Sequence, residues 1–191
     1  MKKILSILLS VILLIPLCAC QSDTSLFEEV APADEALARC KTSAVVVIEE
    51  SKCTHGEQLM KDFYDKTKKG EEAELLCAMY YNLDGENISE ELYEQEKDNY
   101  PQLYYYLVSS KDDSYIVKIR KSDEEQIEQE ASYSCLMHYQ GDAPKGASFS
   151  SYDYYVLTRS DTVTWDEIEK GLFSSQLDDY IPHCMIYRNT F

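Results

Sequence analysis

After a short apolar beginning, the chain settles into alternating apolar and polar positions whose period changes from segment to segment, and that period predicts the elements. Val45-Val46-Val47-Ile48 is a β-branched run within 42–49, the pattern of a strand buried on both faces. Leu59, Met60, Phe63 and Tyr64 then recur at helical spacing. Thr54 and Glu57 stand at capping-box distance ahead of them and Gly70 stops the helix. Over 73–83, Leu75, Cys77, Met79 and Tyr81 fall on one strand face and Leu76, Ala78 and Tyr80 on the other, before the turn at Asp84-Gly85.

Residues 103–109 and 115–121 read as a hairpin in which Val117 and Ile119 alternate with Lys118 and Arg120. The acidic run 123–130 reads as a connector or an exposed helix, and 131–139 as a strand. A loop over 140–151 carries Gly141, Pro144 and Gly146, and a strand over 152–158 follows. Thr164 and Glu167 repeat the capping-box spacing ahead of Trp165, Ile168 and Leu172, and a last strand spans 181–188. A short helix is also expected over 33–41, behind Pro32, while 88–99 reads either as a short helix opened by Ser89-Glu90-Glu91 or as an irregular strand, with helix preferred. These elements predict an α+β fold: a mostly antiparallel sheet of about six or seven strands with two or three helices packed on one face, in a single domain over 33–191.

The first residues follow a different logic. Lys2 and Lys3 precede an apolar stretch over 4–15 interrupted by Ser6 and Ser10, and Pro16 ends it before Leu17-Cys18-Ala19-Cys20. That stretch is shorter than the ~20 apolar residues of a permanent span. The pattern is a lipoprotein signal peptide over 1–19, with Cys20 as the residue that becomes lipidated after cleavage. The expected location is the extracytoplasmic face of a bacterial cell membrane, with a polar tether over 20–32 lifting the domain off the bilayer.

Composition narrows the partners. The chain carries a formal charge of −17 at pH 7, and removal of Lys2 and Lys3 leaves sixteen basic residues against thirty-five acidic. Such a surface repels nucleic acid and favours a basic or neutral protein, peptide or glycan.

The stretch 45–119 resembles a group of small, functionally uncharacterised lipoproteins of Gram-positive bacteria. The resemblance rests on the valine-rich strand, the helix with Leu59 and Phe63, the Lys69-Gly70 stop, and the strand ending in Tyr81 before Asp84-Gly85-Glu86. It implies no catalytic residues.

Cysteine chemistry is open. Cys40, Cys53, Cys77, Cys135 and Cys184 follow Cys20 as an odd set; Cys40 and Cys53 flank the first strand and are the pair a disulfide would join first. Cys53, His55, Cys135, His138, His183 and Cys184 raise the question of a metal site. Strand alternation separates Cys135 from His138 and His183 from Cys184, so no metal or other cofactor is expected. The chain contains no Gly-x-Ser-x-Gly, Ser-x-x-Lys or His-Glu-x-x-His motif.

Sixteen tyrosines are the remaining candidate chemistry. Tyr104 and Tyr106 share one strand face and Tyr152 and Tyr154 another, and these four are the expected binding residues, since tyrosine offers a large amphipathic contact at small entropic cost. The expected function is a non-catalytic, lipid-anchored binding or regulatory domain. A cysteine-dependent redox or hydrolytic enzyme and an acidic immunity or inhibitor lipoprotein are the alternatives.

Overall fold

A computed structural model describes residues 22–191; the expected signal peptide over 1–19 and the expected lipidation site Cys20 lie outside the described residues. The protein is α+β. Its larger sheet has six strands in the order β2-β1-β3-β4-β5-β6: β1 (Val46–Glu49), β2 (Lys52–His55), β3 (Ala73–Tyr81), β4 (Gln102–Lys111), β5 (Ser114–Lys121) and β6 (Ile127–Tyr133). Every neighbouring pair is antiparallel except β1 with β3. A second, antiparallel sheet holds β7 (Cys135–Asp142), β8 (Ser151–Thr158) and β9 (His183–Thr190), with β8 in the middle. The helices are α1 (Ala33–Cys40), α2 (Glu57–Lys68), α3 (Glu90–Glu96) and α4 (Trp165–Phe173). Among the described residues no helix is long and apolar enough to cross a membrane.

The layers follow from which faces are apolar. On the inner face of the large sheet, Val46, Ile48, Leu75, Cys77, Val117 and Ile119 pack against Met60 and Phe63 of α2 and against Leu136, Leu157 and Ile186 of the small sheet. Its outer face, with Val45, Val47, Leu76, Ala78 and Tyr105, is covered by α1. The outer face of the small sheet buries Tyr154 and Val156 under Ile168 of α4. A sheet with two apolar faces needs cover on both, so the helices spread over three faces where a single sheet needs only one helical layer. The β-branched run of β1 is buried on both faces, as its pattern predicts.

Four local expectations are corrected. Residues 22–31 are not a free tether. Ser22 Oγ donates to Ala44 O and accepts from Leu76 N, and Leu26, Phe27 and Ala31 are buried against the outer face. Thr54 does not cap α2, because it lies in β2 and gives its hydroxyl to Glu49 Oε1 at 2.5 Å. The N-cap is Gly56 at φ +75°, where a Cβ would collide with the Val45 carbonyl, so the sharp entry requires glycine. The acidic run 123–130 ends in strand β6, an edge strand whose exposed glutamates suit a sheet margin. The strand expected over 131–139 is two: Tyr133 pairs with Tyr115 in the large sheet, Cys135 pairs with Thr158 in the small one, and Ser134 between them marks the crossing.

The capping box at Thr164 is present: Glu167 N donates to Thr164 Oγ1, and the Glu167 carboxylate accepts from Thr164 N at 2.9 Å. Arg120, patterned as a solvent-facing residue, is 2% exposed. Its guanidinium lies against the rings of Phe27 and Tyr105 and donates to the carbonyls of Phe27, Glu29, Lys121, Ser122 and Glu124. This side chain fastens the N-terminal segment to the end of β5.

Candidate functional site: a tyrosine groove between the sheets

The small sheet does not reach the end of the large sheet's inner face. Cross-strand register places Tyr106 beside Cys77 and Ile119, and Tyr104 beside Met79. Tyr81, Tyr104 and Tyr106 therefore share one face of adjacent strands where nothing stacks over them fully, and all three are half-buried. They form the floor of a groove. One wall comes from Tyr180 and from His183, Met185 and Arg188 of β9, and Gln129 stands on the opposite side. The groove continues past Tyr104 to Tyr100, Gln102 and Glu128. Its two hollows measure about 300 Å³ and about 360 Å³ and share Tyr81, Tyr106, Ile119 and Gln129. That size suits a small ligand or an extended segment of a larger one.

The polar groups are disposed for recognition. Tyr81 meets Tyr104 edge to face at 6.0 Å, and the Tyr104 hydroxyl donates to Gln102 Oε1 at 3.0 Å. Burial is the main reason that the phenols of Tyr104 and Tyr106 are raised above the usual tyrosine range, so both remain neutral donors at physiological pH. The Arg188 guanidinium sits 5.4 Å from the centre of the Tyr81 ring. Among the described residues it has no carboxylate within salt-bridge distance, and its Nε is buried with no hydrogen-bond partner. In a chain this acidic, an uncompensated guanidinium in an aromatic groove is the feature that most needs an acceptor. Arg188 and Met185 also border a neighbouring hollow of about 420 Å³ lined by Lys52, Phe149, Tyr154 and Phe191.

Of the four tyrosines expected to bind, Tyr104 and Tyr106 line the groove. Tyr152 and Tyr154 do not join them. They stack on one another at 4.8 Å on the outer face of the small sheet and lean on Trp165 of α4. Tyr154 touches only the neighbouring hollow. Residues 140–151 stay outside the groove, contributing Ser148 and Phe149 to the same hollow. Tyr81, Tyr180 and Arg188 were not legible as site residues, because the register and the end point of the second sheet bring them together.

The cysteines take other places. Cys40, the last residue of α1, is buried against the outer face of the large sheet and Cys53 packs on the inner face, so the sheet itself separates the pair and both are free. Burial pushes the Cys40 thiol up to about 11 and the Cys184 thiol up to about 12, and it raises Cys53 and Cys77 as well. Each histidine ring has a partner other than sulfur. His55 Nε2 meets Ser43 O at 3.1 Å, and His183 Nδ1 meets Ile181 O at 2.7 Å. His138 Nε2 meets Asp153 Oδ1 at 2.7 Å while stacked on Tyr155. No group of three or more metal-ligating side chains gathers among the described residues. Comparison of the chain with protein-family models, with curated proteins and with solved structures finds no match, and the groove stands on its own geometry.

Proposed function

We propose that the protein is a lipid-anchored, extracytoplasmic binding domain that holds its ligand in the tyrosine groove between its two sheets. The observation that carries this reading is the groove itself: three half-buried tyrosines at the uncovered end of a sheet, faced by a guanidinium that has no partner among the described residues. Aromatic faces and neutral phenol donors bind by contact and hydrogen bonding and need no reacting group. The raised thiols and the histidines engaged elsewhere give the cysteine-dependent alternative no geometric support.

The anchor rests on the sequence pattern around Cys20. It gains a consequence from the packed N-terminal segment, because Ser22 is already fixed to Ala44 and Leu76. Two extended residues span at most about 7 Å, so acyl chains on Cys20 would hold the domain against the membrane surface with its orientation restricted.

Two experiments test the two parts. Metabolic labelling with an alkynyl fatty acid should mark the protein in cells and should fail on Cys20→Ala; labelling that persists in that variant refutes the anchor. Components of the cell envelope retained by the immobilised wild-type chain should be lost from a Tyr104→Ala/Tyr106→Ala double variant that melts at the wild-type temperature. Equal retention by both chains refutes the groove.

A further inference from the structure

The wall of the groove says what kind of ligand it takes. β9 is the terminal strand of the small sheet and pairs only with β8. His183, Cys184 and Met185 are consecutive in the strand, and all three line the same hollow together with Arg188. Successive residues of a strand point to opposite faces, so one hollow can meet all of them only by running along the strand's edge. That edge is closed at its far end, where Thr190 N donates to Ser51 O at 3.0 Å. From His183 to Arg188 no backbone group is paired with any other segment outside the β8 ladder among the described residues. β9 carries one extra residue, Ile186, between its pairs Tyr187–Tyr155 and Met185–Val156, so the unpaired edge is regular over 183–185 and steps at Ile186 before Arg188. The regular stretch presents backbone donors and acceptors able to pair with another strand.

The groove floor complements an added strand. Tyr104 and Tyr106 lie two residues apart on one face of β4, with Tyr81 beside them on β3. Side chains of an extended peptide that alternate toward the large sheet would meet these rings. At the end of the open edge, Arg188 holds its unpartnered Nε beside the Tyr81 ring. A guanidinium in this setting pairs best with a carboxylate.

Building on the groove reading above, we propose that the ligand is an extended peptide segment that adds as a strand to the free edge of β9 and places an aspartate or glutamate carboxylate on Arg188. Main-chain pairing with β9 supplies affinity that depends little on sequence, while the tyrosine floor and Arg188 select apolar and acidic side chains at alternating positions. The overall acidity of the domain works against an acidic partner at long range. Local pairing in a partly desolvated groove is screened far less than surface charge, so a single carboxylate at Arg188 is favoured where a polyacidic partner is not.

The test is selection of a random twelve-residue peptide library on the immobilised full-length chain, with an array of acidic and neutral glycans run in parallel. Selected peptides should share one Asp or Glu flanked by alternating apolar residues. Replacing that residue by Asn or Gln should weaken binding at least tenfold on the wild-type chain and less than twofold on Arg188→Gln. Binding should slow amide exchange across 183–188. If no peptide is selected, or if selected peptides are indifferent both to their own acidic residue and to Arg188→Gln, the peptide inference is overturned. The peptide-side substitution needs no change in the protein, so a poorly folded Arg188 variant does not blunt the test. Glycans that bind and are lost with Tyr104→Ala overturn the peptide inference and leave the groove as the site. Ligands of either class that bind Tyr104→Ala as well as the wild type overturn both.

Discussion

Replacing Arg120 by Met keeps most of the aliphatic stem between Phe27 and Tyr105 and removes the guanidinium. In the wild type that group serves five carbonyls on two pieces of chain, 27–29 and 121–124. Two of them have other donors: Ser122 O accepts from Ala31 N and Lys121 O from Glu124 N. The carbonyls of Phe27, Glu29 and Glu124 accept from no loop or turn N–H among the described residues. A hydrogen bond from a charged donor contributes about 1.5–3 kcal/mol, and an orphaned buried acceptor costs about 1–3 kcal/mol. Part of the loss is returned because a buried cation no longer has to be desolvated. The expected destabilisation is about 3–5 kcal/mol, read as a lowered midpoint in urea with an unchanged slope. The loss should begin at the N-terminus, with amide protection over 22–31 falling before that of β3 and β4. A change below about 0.5 kcal/mol, the ordinary range for surface substitutions, would refute the reasoning by showing that water replaces the guanidinium at these carbonyls.

Other expectations follow from single sites. Gly56→Ala forces a left-handed backbone on a residue with a Cβ, which costs about 1–2 kcal/mol before the collision with Val45 O is counted; thermal unfolding checks it, and a neutral outcome would mean that the β2–α2 turn relaxes. Thr164→Ala removes the hydroxyl half of the capping box and should cost about 1 kcal/mol by urea titration. The thiols of Cys40 and Cys184 are raised on folding, so the protons they hold favour the native state. The stability they confer is complete below the unfolded thiol value near 9 and is lost as pH climbs toward about 11 and about 12. Urea midpoints measured from pH 7 to 11 should therefore fall at the alkaline end, and less so in Cys40→Ser compared with its own neutral-pH midpoint. At pH 8, Cys40, Cys77 and Cys184 should resist alkylation until denaturant is added.

The sequence carried the α+β fold and most elements because local and tertiary signals agree there. The valine run of β1, the hairpin of β4 and β5 and the Thr164 capping box each have one physical reading. Thr54 misled because a hydroxyl followed three residues later by a glutamate is equally at home on a strand, and here Glu49 takes the hydroxyl. The strand character of Ile127–Tyr133 is hidden by charges that a sheet edge tolerates. Arg120 looks solvent-facing because alternation gives the face of a strand and says nothing about what covers that face. Tyr104 and Tyr106 were recognisable as a shared aromatic face, whereas Arg188 reaches Tyr81 only through the packing of one sheet on another, which no local pattern encodes.

The central claim is that the groove over Tyr104 and Tyr106 holds the ligand, and site-directed photo-cross-linking in cells tests it most directly. A photoreactive amino acid in place of Tyr104 should give a discrete adduct of one partner species, while the same group at Lys170, exposed on α4, should give none. Adducts from Lys170 with none from Tyr104 would contradict the account and place the binding surface on the opposite side of the small sheet.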